Sequence, residues 1–123
     1  MGEWKLGKTA KFIKDNEHYQ QRQPNEWVAV MKNLDAYFEA LKLLGNPMQI
    51  QTGFLHHEPD GIKALDQKGG KQKVKLQQTR LYVYPDTNLK ILYLLAMGNK
   101  STQASDIRFS REMVKELRSG GGY

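Results

Sequence analysis

Lys75-Leu76-Gln77-Gln78-Thr79-Arg80-Leu81-Tyr82-Val83-Tyr84, then Pro85-Asp86-Thr87-Asn88, then Leu89-Lys90-Ile91-Leu92-Tyr93-Leu94-Leu95-Ala96-Met97 is the stretch that decides the fold. Its first part is rich in β-branched and aromatic residues. Its middle is turn chemistry, with Pro preceding Asp. Its last part is almost continuously apolar, as in a central strand covered on both faces. Two strands joined by a tight turn predict an antiparallel hairpin, and Gly98-Asn99 ends it.

Working outward, the residues on either side are helical. Trp27, Val30, Met31, Leu34, Tyr37, Phe38, Leu41 and Leu44 recur at intervals of three and four, the pattern of one apolar helix face. Pro24 suits the first turn, and Gly45 followed by Asn46-Pro47 suits the stop. After the hairpin, Ile107, Ser110, Met113, Val114 and Leu117 line a closing helix, with Ser101, Thr102 and Ser105 as candidate N-caps and Asp106 in the first turn. Near the start, Trp4 and Leu6 suit an edge strand, and Thr9 to Tyr19 suits a short helix with Ala10, Phe12 and Ile13 facing inward. Gln49 to Leu55 is β-like, and His56-His57-Glu58-Pro59-Asp60-Gly61 reads as a turn. Asp66 to Lys75, with Gly69-Gly70 and Lys68, Lys71, Lys73 and Lys75, reads as a basic loop. The expected fold is α+β: N-terminal helices packed on a small antiparallel β-sheet with a C-terminal helix. One domain over residues 1–118 and a Gly-rich tail over 119–123 are expected.

Composition narrows the chemistry. The 123 residues fit a single core. With no cysteine, disulfides, thiolate metal sites and thiol nucleophiles are excluded. Met1-Gly2-Glu3-Trp4-Lys5 has no apolar leader core, and no stretch approaches the roughly 20 apolar residues of a membrane span, so a cytoplasmic protein is expected. A net charge of +6 from 19 Lys+Arg against 13 Asp+Glu favours a polyanionic partner, nucleic acid or an acidic protein.

Three groups of residues could carry chemistry. On the strand, Gln78, Arg80, Tyr82 and Tyr84 share one face and Thr79, Leu81 and Val83 the other. An arginine fork among amides and phenols suits a phosphate, and tyrosines stack on unpaired bases. A surface ion pair to the next strand is the ordinary alternative for Arg80. Gly98-Asn99-Lys100-Ser101-Thr102-Gln103, between strand and helix, is a possible anion site, with plain helix capping as the alternative. His56 or His57 could exchange protons near neutrality, whereas solvated turn histidines are the commoner case. Adjacent histidines on a strand diverge, so no metal site is expected there. No phosphate-binding glycine loop, dinucleotide fingerprint or nucleophile elbow is present.

Gly61-Ile62-Lys63-Ala64-Leu65, Thr79-Arg80-Leu81-Tyr82-Val83-Tyr84 and Ile91 through Gln103 with Asp106-Ile107 resemble the RelE/HigB superfamily of toxin–antitoxin ribonucleases. The likeness covers about the last two-thirds of the chain. It implies a metal-independent, cofactor-free mRNA endoribonuclease that often acts on the ribosome and is neutralised by an antitoxin protein. Carried over by position, Arg80 matches a phosphate-holding strand arginine and Lys100 the basic residue after the last strand. His57 is the proton-transfer candidate, and Lys71, Lys73, Lys75, Tyr82, Thr102 and Gln103 are the RNA-binding candidates. The chain departs from the family where a Leu-Arg step becomes Leu65-Asp66, and its last helix offers no His or Tyr. Two other readings stand beside the nuclease: a non-catalytic RNA- or ribosome-binding module, and a basic protein-interaction domain.

Overall fold

The computed structural model describes residues 3–69 and 75–120. Along them run β1 (Lys5–Lys8), α1 (Ala10–Arg22), α2 (Pro24–Leu44), β2 (Leu55–His57), β3 (Lys63–Leu65), β4 (Thr79–Asp86), β5 (Ile91–Asn99) and α3 (Gln103–Arg118). Short 3-10 turns occupy Pro47–Gln49, Pro59–Gly61 and Lys100–Thr102. The strands form one sheet in the order β1-β5-β4-β3-β2. The α+β class and the closing helix on the sheet are as the sequence predicts.

The hairpin of β4 and β5 is the centre of this sheet. Its register sets Arg80 opposite Gly98 and Tyr82 opposite Ala96, then slips so that Val83 faces Leu94. The slip leaves Leu95 as an extra residue, a β-bulge. It lets Leu95 and Ala96 both join the cluster under α3, while Leu94 and Met97 join the cluster under α1 and α2. Both faces of β5 are therefore covered, which explains its unbroken apolar run. The turn that closes the hairpin lies later than the sequence suggests. Pro85 and Asp86 belong to β4, and the Asp86 carboxylate accepts the backbone N–H groups of Asn88 and Leu89.

One expectation changes in kind. The sheet is mixed, because β1 runs parallel to β5, with Leu6 beside Leu92. Most of the chain separates these two strands, so no short hairpin constrains their relative direction. β1 covers only the first half of the β5 edge. Beyond it α1 takes over: the Thr9 hydroxyl donates to Leu95 O at 2.6 Å, and the Asp15 carboxylate accepts Met97 N–H at 3.1 Å. A buried strand edge needs partners for its peptide groups, and these two side chains supply them.

The helices follow from their sequence periods with small corrections. In α2, Val30, Leu34, Tyr37 and Leu41 are buried, with Trp27, Met31 and Phe38 beside them. Gly45 adopts the left-handed φ of 72° that ends the helix. In α1, Phe12 and Tyr19 point inward, whereas Ile13 is 56% exposed because it lies a quarter-turn off that face. The β-like stretch Gln49 to Leu55 is irregular up to β2, following the 3-10 turn Pro47–Gln49 and turning at Gly53-Phe54, and His56-His57 belongs to β2 rather than to a turn. Thr102, one of the candidate caps, is the N-cap of α3, and Asn99 caps the 3-10 turn before it, its side chain accepting the N–H groups of Ser101 and Thr102. Ser119 and Gly120 close α3 through backbone bonds to Lys115 O and Leu117 O. Residues 121–123 lie outside the described residues. Among the described residues no helix is long and apolar enough to cross a membrane.

Gly98 shows how tightly α3 sits on the sheet. A side chain there would overlap the Asp106 carboxylate and the Thr102 hydroxyl. Thr102 Oγ1 donates to Asp106 at 2.7 Å, and Lys11 of α1 reaches Asp106 at 3.5 Å and Asp15 at 3.0 Å. Burial works against charge on Lys11, but the two carboxylates hold its pKa above the usual lysine value. Burial pushes the Asp106 carboxyl above its ordinary 3.8, and the bonds from Thr102 and Lys11 only partly offset this.

Gly98→Ala is expected to destabilise the fold by about 2–3 kcal/mol through overpacking, read by chemical denaturation. Asp106 gives a pH signature. Because its folded pKa is raised, its stabilising contribution is fully present below pH 3.8 and is lost as pH rises through the folded value. Asp106→Asn should therefore gain stability relative to the wild type between about pH 3 and about pH 7. A gap that narrows over this range would show that the fold favours the ionised carboxylate.

Candidate functional site

The sheet register brings together a polar cluster on the α3 face. Hairpin pairing sets His56 opposite Ala64, and Ala64 opposite Tyr82, so these three share one row and one face. Asp66, one step beyond the Leu65–Leu81 pair, falls in the next row beside Arg80. Glu58, two residues beyond His56, is held opposite Ile62 by its backbone N–H and lies on the same face. Strands are about 4.8 Å apart, so three adjacent strands deliver His56, Glu58, Asp66 and Arg80 to one small area.

Each member is anchored. Asp66 is 2% exposed; its Oδ1 accepts Lys68 N–H at 2.7 Å, and its Oδ2 lies 2.6 Å from His56 Nε2. The backbone carbonyl of Asp66 accepts from Asn33 of α2 at 2.8 Å, which fixes the end of β3. The Arg80 guanidinium reaches Glu58 with Nη1 at 3.8 Å from Oε2. Both side chains are mostly covered, at 18% and 14% exposure. Arg80 Nε is buried and has no hydrogen-bond partner among the described residues. Arg80 thus has donors to spare and one loose ion pair, which is a poor ground state for a guanidinium and a good starting point for binding an oxyanion.

Along β4 from Arg80 the face opens into a groove. It measures about 840 Å³ and is lined by Lys75, Leu76, Gln77, Gln78, Asn99, Lys100 and Ser101. Lys75 and Lys100 are exposed there. Gln78 is two residues from Arg80 on the same face, and its amide donates to Gln103 at the start of α3. The groove therefore joins two of the sequence-predicted lysines to the Arg80 face, with amides between them.

Other expected site residues are placed differently. Tyr82 is 1% exposed, inside the cluster beneath α3, so it is not a base-stacking surface. The sequence treats its face as open because nothing local announces that α3 folds back across it. Burial pushes its phenol far above the usual range. His57 is exposed and lies on the face opposite to Arg80, and its Nδ1 accepts the Lys63 ammonium at 2.9 Å. Burial lowers the Lys63 pKa below the usual lysine value. His56 is the histidine on the Arg80 face. Thr102 is engaged by Asp106 and by Asn99 N–H, so the strand–helix junction is capped by its own side chains rather than open to an anion. Lys71 and Lys73 lie outside the described residues. Among the described residues no group of three His, Asp or Glu side chains is arranged to hold a metal ion.

Asp66 and Glu58 are the site residues that local sequence reasoning misses. The one signal was the charge reversal at Leu65-Asp66. Pairing Leu55 with Leu65 in a hairpin would have set His56 diagonally beside it.

Burial makes a clear demand on Tyr82. For RNA seated in the lysine groove, Tyr82→Phe is expected to leave affinity in a filter-binding or polarisation assay unchanged, whereas Lys100→Ala should weaken it and flatten its salt dependence. A loss with Tyr82→Phe as large as that with Lys100→Ala would overturn the assignment. No protein-family model, no curated protein and no solved structure matches this chain, so its functional reading rests on this geometry.

Proposed function

We propose that this protein is an RNA-directed endoribonuclease of the RelE/HigB kind, independent of metal and held in check by an antitoxin protein. The observation that carries this reading is Arg80: a largely covered guanidinium whose buried Nε has no hydrogen-bond partner among the described residues, two residues along β4 from Gln78, which lines a groove bearing Lys75 and Lys100. A polynucleotide backbone fits this gradient. The exposed lysines attract successive phosphates through long-range charge. Arg80 then engages one phosphate with a planar fork at a low-dielectric position, where each hydrogen bond is stronger than in water.

The chemistry suited to such a site is transesterification within the RNA. The 2′-hydroxyl attacks the adjacent phosphorus, the bond to the 5′-oxygen breaks, and a 2′,3′-cyclic phosphate and a 5′-hydroxyl result. Negative charge gathers on the phosphoryl oxygens, and a guanidinium positioned beforehand stabilises that charge more than it stabilises the ground state. The net charge of +6, the β4–β5–α3 order and the resemblance of Arg80 and Lys100 to family positions all support this reading.

A second reading is favoured by one contact. Glu58 neutralises part of Arg80 at 3.8 Å, which suits a module that binds RNA in the lysine groove without cleaving it. Cleavage separates the two. Incubated with single-stranded RNA in EDTA, the wild type should yield cyclic phosphate ends. Arg80→Ala should lose about 100-fold or more in rate while costing about 1 kcal/mol of stability. Binding without cleavage by the wild type would favour the module, and unchanged cleavage by Arg80→Ala would remove Arg80 from the site.

A further inference from the structure

We infer that His56, positioned by the buried carboxylate of Asp66, is the general base of this site. The inference rests on the ribonuclease reading above and adds to it the group that moves the proton.

The Asp66 side chain is almost fully buried, and His56 is about one-third exposed. One imidazole nitrogen is thus held against the protein while the ring keeps contact with solvent. The 2.6 Å separation of Nε2 and Oδ2 requires a proton between them. An ionised carboxylate only accepts, so the imidazole Nε2 donates. That bond selects one tautomer: Nε2 carries the hydrogen, and Nδ1 keeps its lone pair. Asp66 is itself held by the Lys68 N–H on its other oxygen and by Asn33 on its backbone carbonyl, so the ring is braced from β3 and α2 together.

The geometry is that of a base with an orienting acid behind it. The charged groups facing this pair are Lys68, whose ammonium is 4.0 Å from Asp66, and the Glu58–Arg80 pair on the same face. His57 is not equivalent, since its Nδ1 lone pair is already occupied by Lys63. The step balances without any further reactant. Nδ1 of His56 takes the proton of the 2′-hydroxyl as the oxygen–phosphorus bond forms, and Asp66 stabilises the imidazolium. The electron pair of the breaking bond leaves on the 5′-oxygen, which takes a proton from water, and the hydroxide so formed takes the proton back from the imidazolium. The carboxylate at Leu65-Asp66 then has a use: where the resembling family carries an arginine, this chain carries the partner of its histidine.

A merely structural His56–Asp66 strut, tying β2 to the end of β3, is the alternative, and chemical rescue separates the two. His56→Ala and Asp66→Asn are assayed for cleavage of single-stranded RNA across pH, with folding checked by circular dichroism and thermal melting. The expected results are a loss of about 100-fold or more in kcat for each, RNA affinity within a factor of about two, and partial recovery of His56→Ala by added imidazole. Asp66→Asn should lose rate while remaining folded, and nitrogen NMR of its His56 ring should show both tautomers where the wild type shows the Nε2–H form. If His56→Ala unfolds, Asp66→Asn with its tautomer readout still decides. Full cleavage by either folded variant, or a loss in folded His56→Ala that imidazole does not restore, overturns the dyad and leaves the ribonuclease reading intact. A wild type that binds RNA and never cleaves it overturns both.

Discussion

The burial of β5 on both faces is the constraint on which the rest of the molecule depends. A strand this apolar cannot face water, so it needs a helical layer on each side and a neighbour along each edge. β4 supplies one edge through a four-residue hairpin connection, and the bulge at Leu95 divides the side chains between the two layers. The other edge is completed from far away in sequence, by β1 and then by Thr9 and Asp15 of the α1 region. The N-terminal twenty residues are thus an edge treatment for a strand near the C-terminus.

The same constraint accounts for the charged groups around Gly98. Asp15 leaves its helix surface to satisfy Met97 N–H, and Lys11 must then balance Asp15 and also Asp106 at the start of α3. Carboxylates of α1 and α3 meet on one ammonium, and Asp15 ties it to the end of β5 through Met97 N–H. Gly98 lets α3 approach closely enough for this to happen. α3 in turn covers Tyr82, together with Ala64 of β3 and Ile62 just before it.

Beside that cover, largely buried in its turn, lies the polar cluster of the sheet. Arg80, Glu58, His56 and Asp66 come from β4, the β2 hairpin arm and the residue after β3, and none of the side chains projects from a long loop. Rigid strands fix such a constellation better than loops do. The lysine groove beside it adds attraction for a polyanion along the direction in which β4 begins. The Arg80–Glu58 contact and the neighbouring His56–Asp66 pair are the arrangement on which the proposed RNA chemistry rests.

By itself the sequence determined the α+β class, the α2 helix with its left-handed Gly45 cap, the β4–β5 hairpin and the inward face of α3. All of these follow from local periodicity and turn chemistry, which a single chain displays openly. The sequence also singled out Arg80 and Lys100, since an arginine on an alternating strand and a lysine after a buried one are visible locally. Only the tertiary structure decided that β1 runs parallel to β5, that Tyr82 is covered, that His56 rather than His57 faces Arg80, and that Asp66 is its partner. Each of these depends on which distant segments become neighbours across a sheet. In a strand a single step of register exchanges one face for the other, and nothing within five residues of His56 or Tyr82 fixes that step.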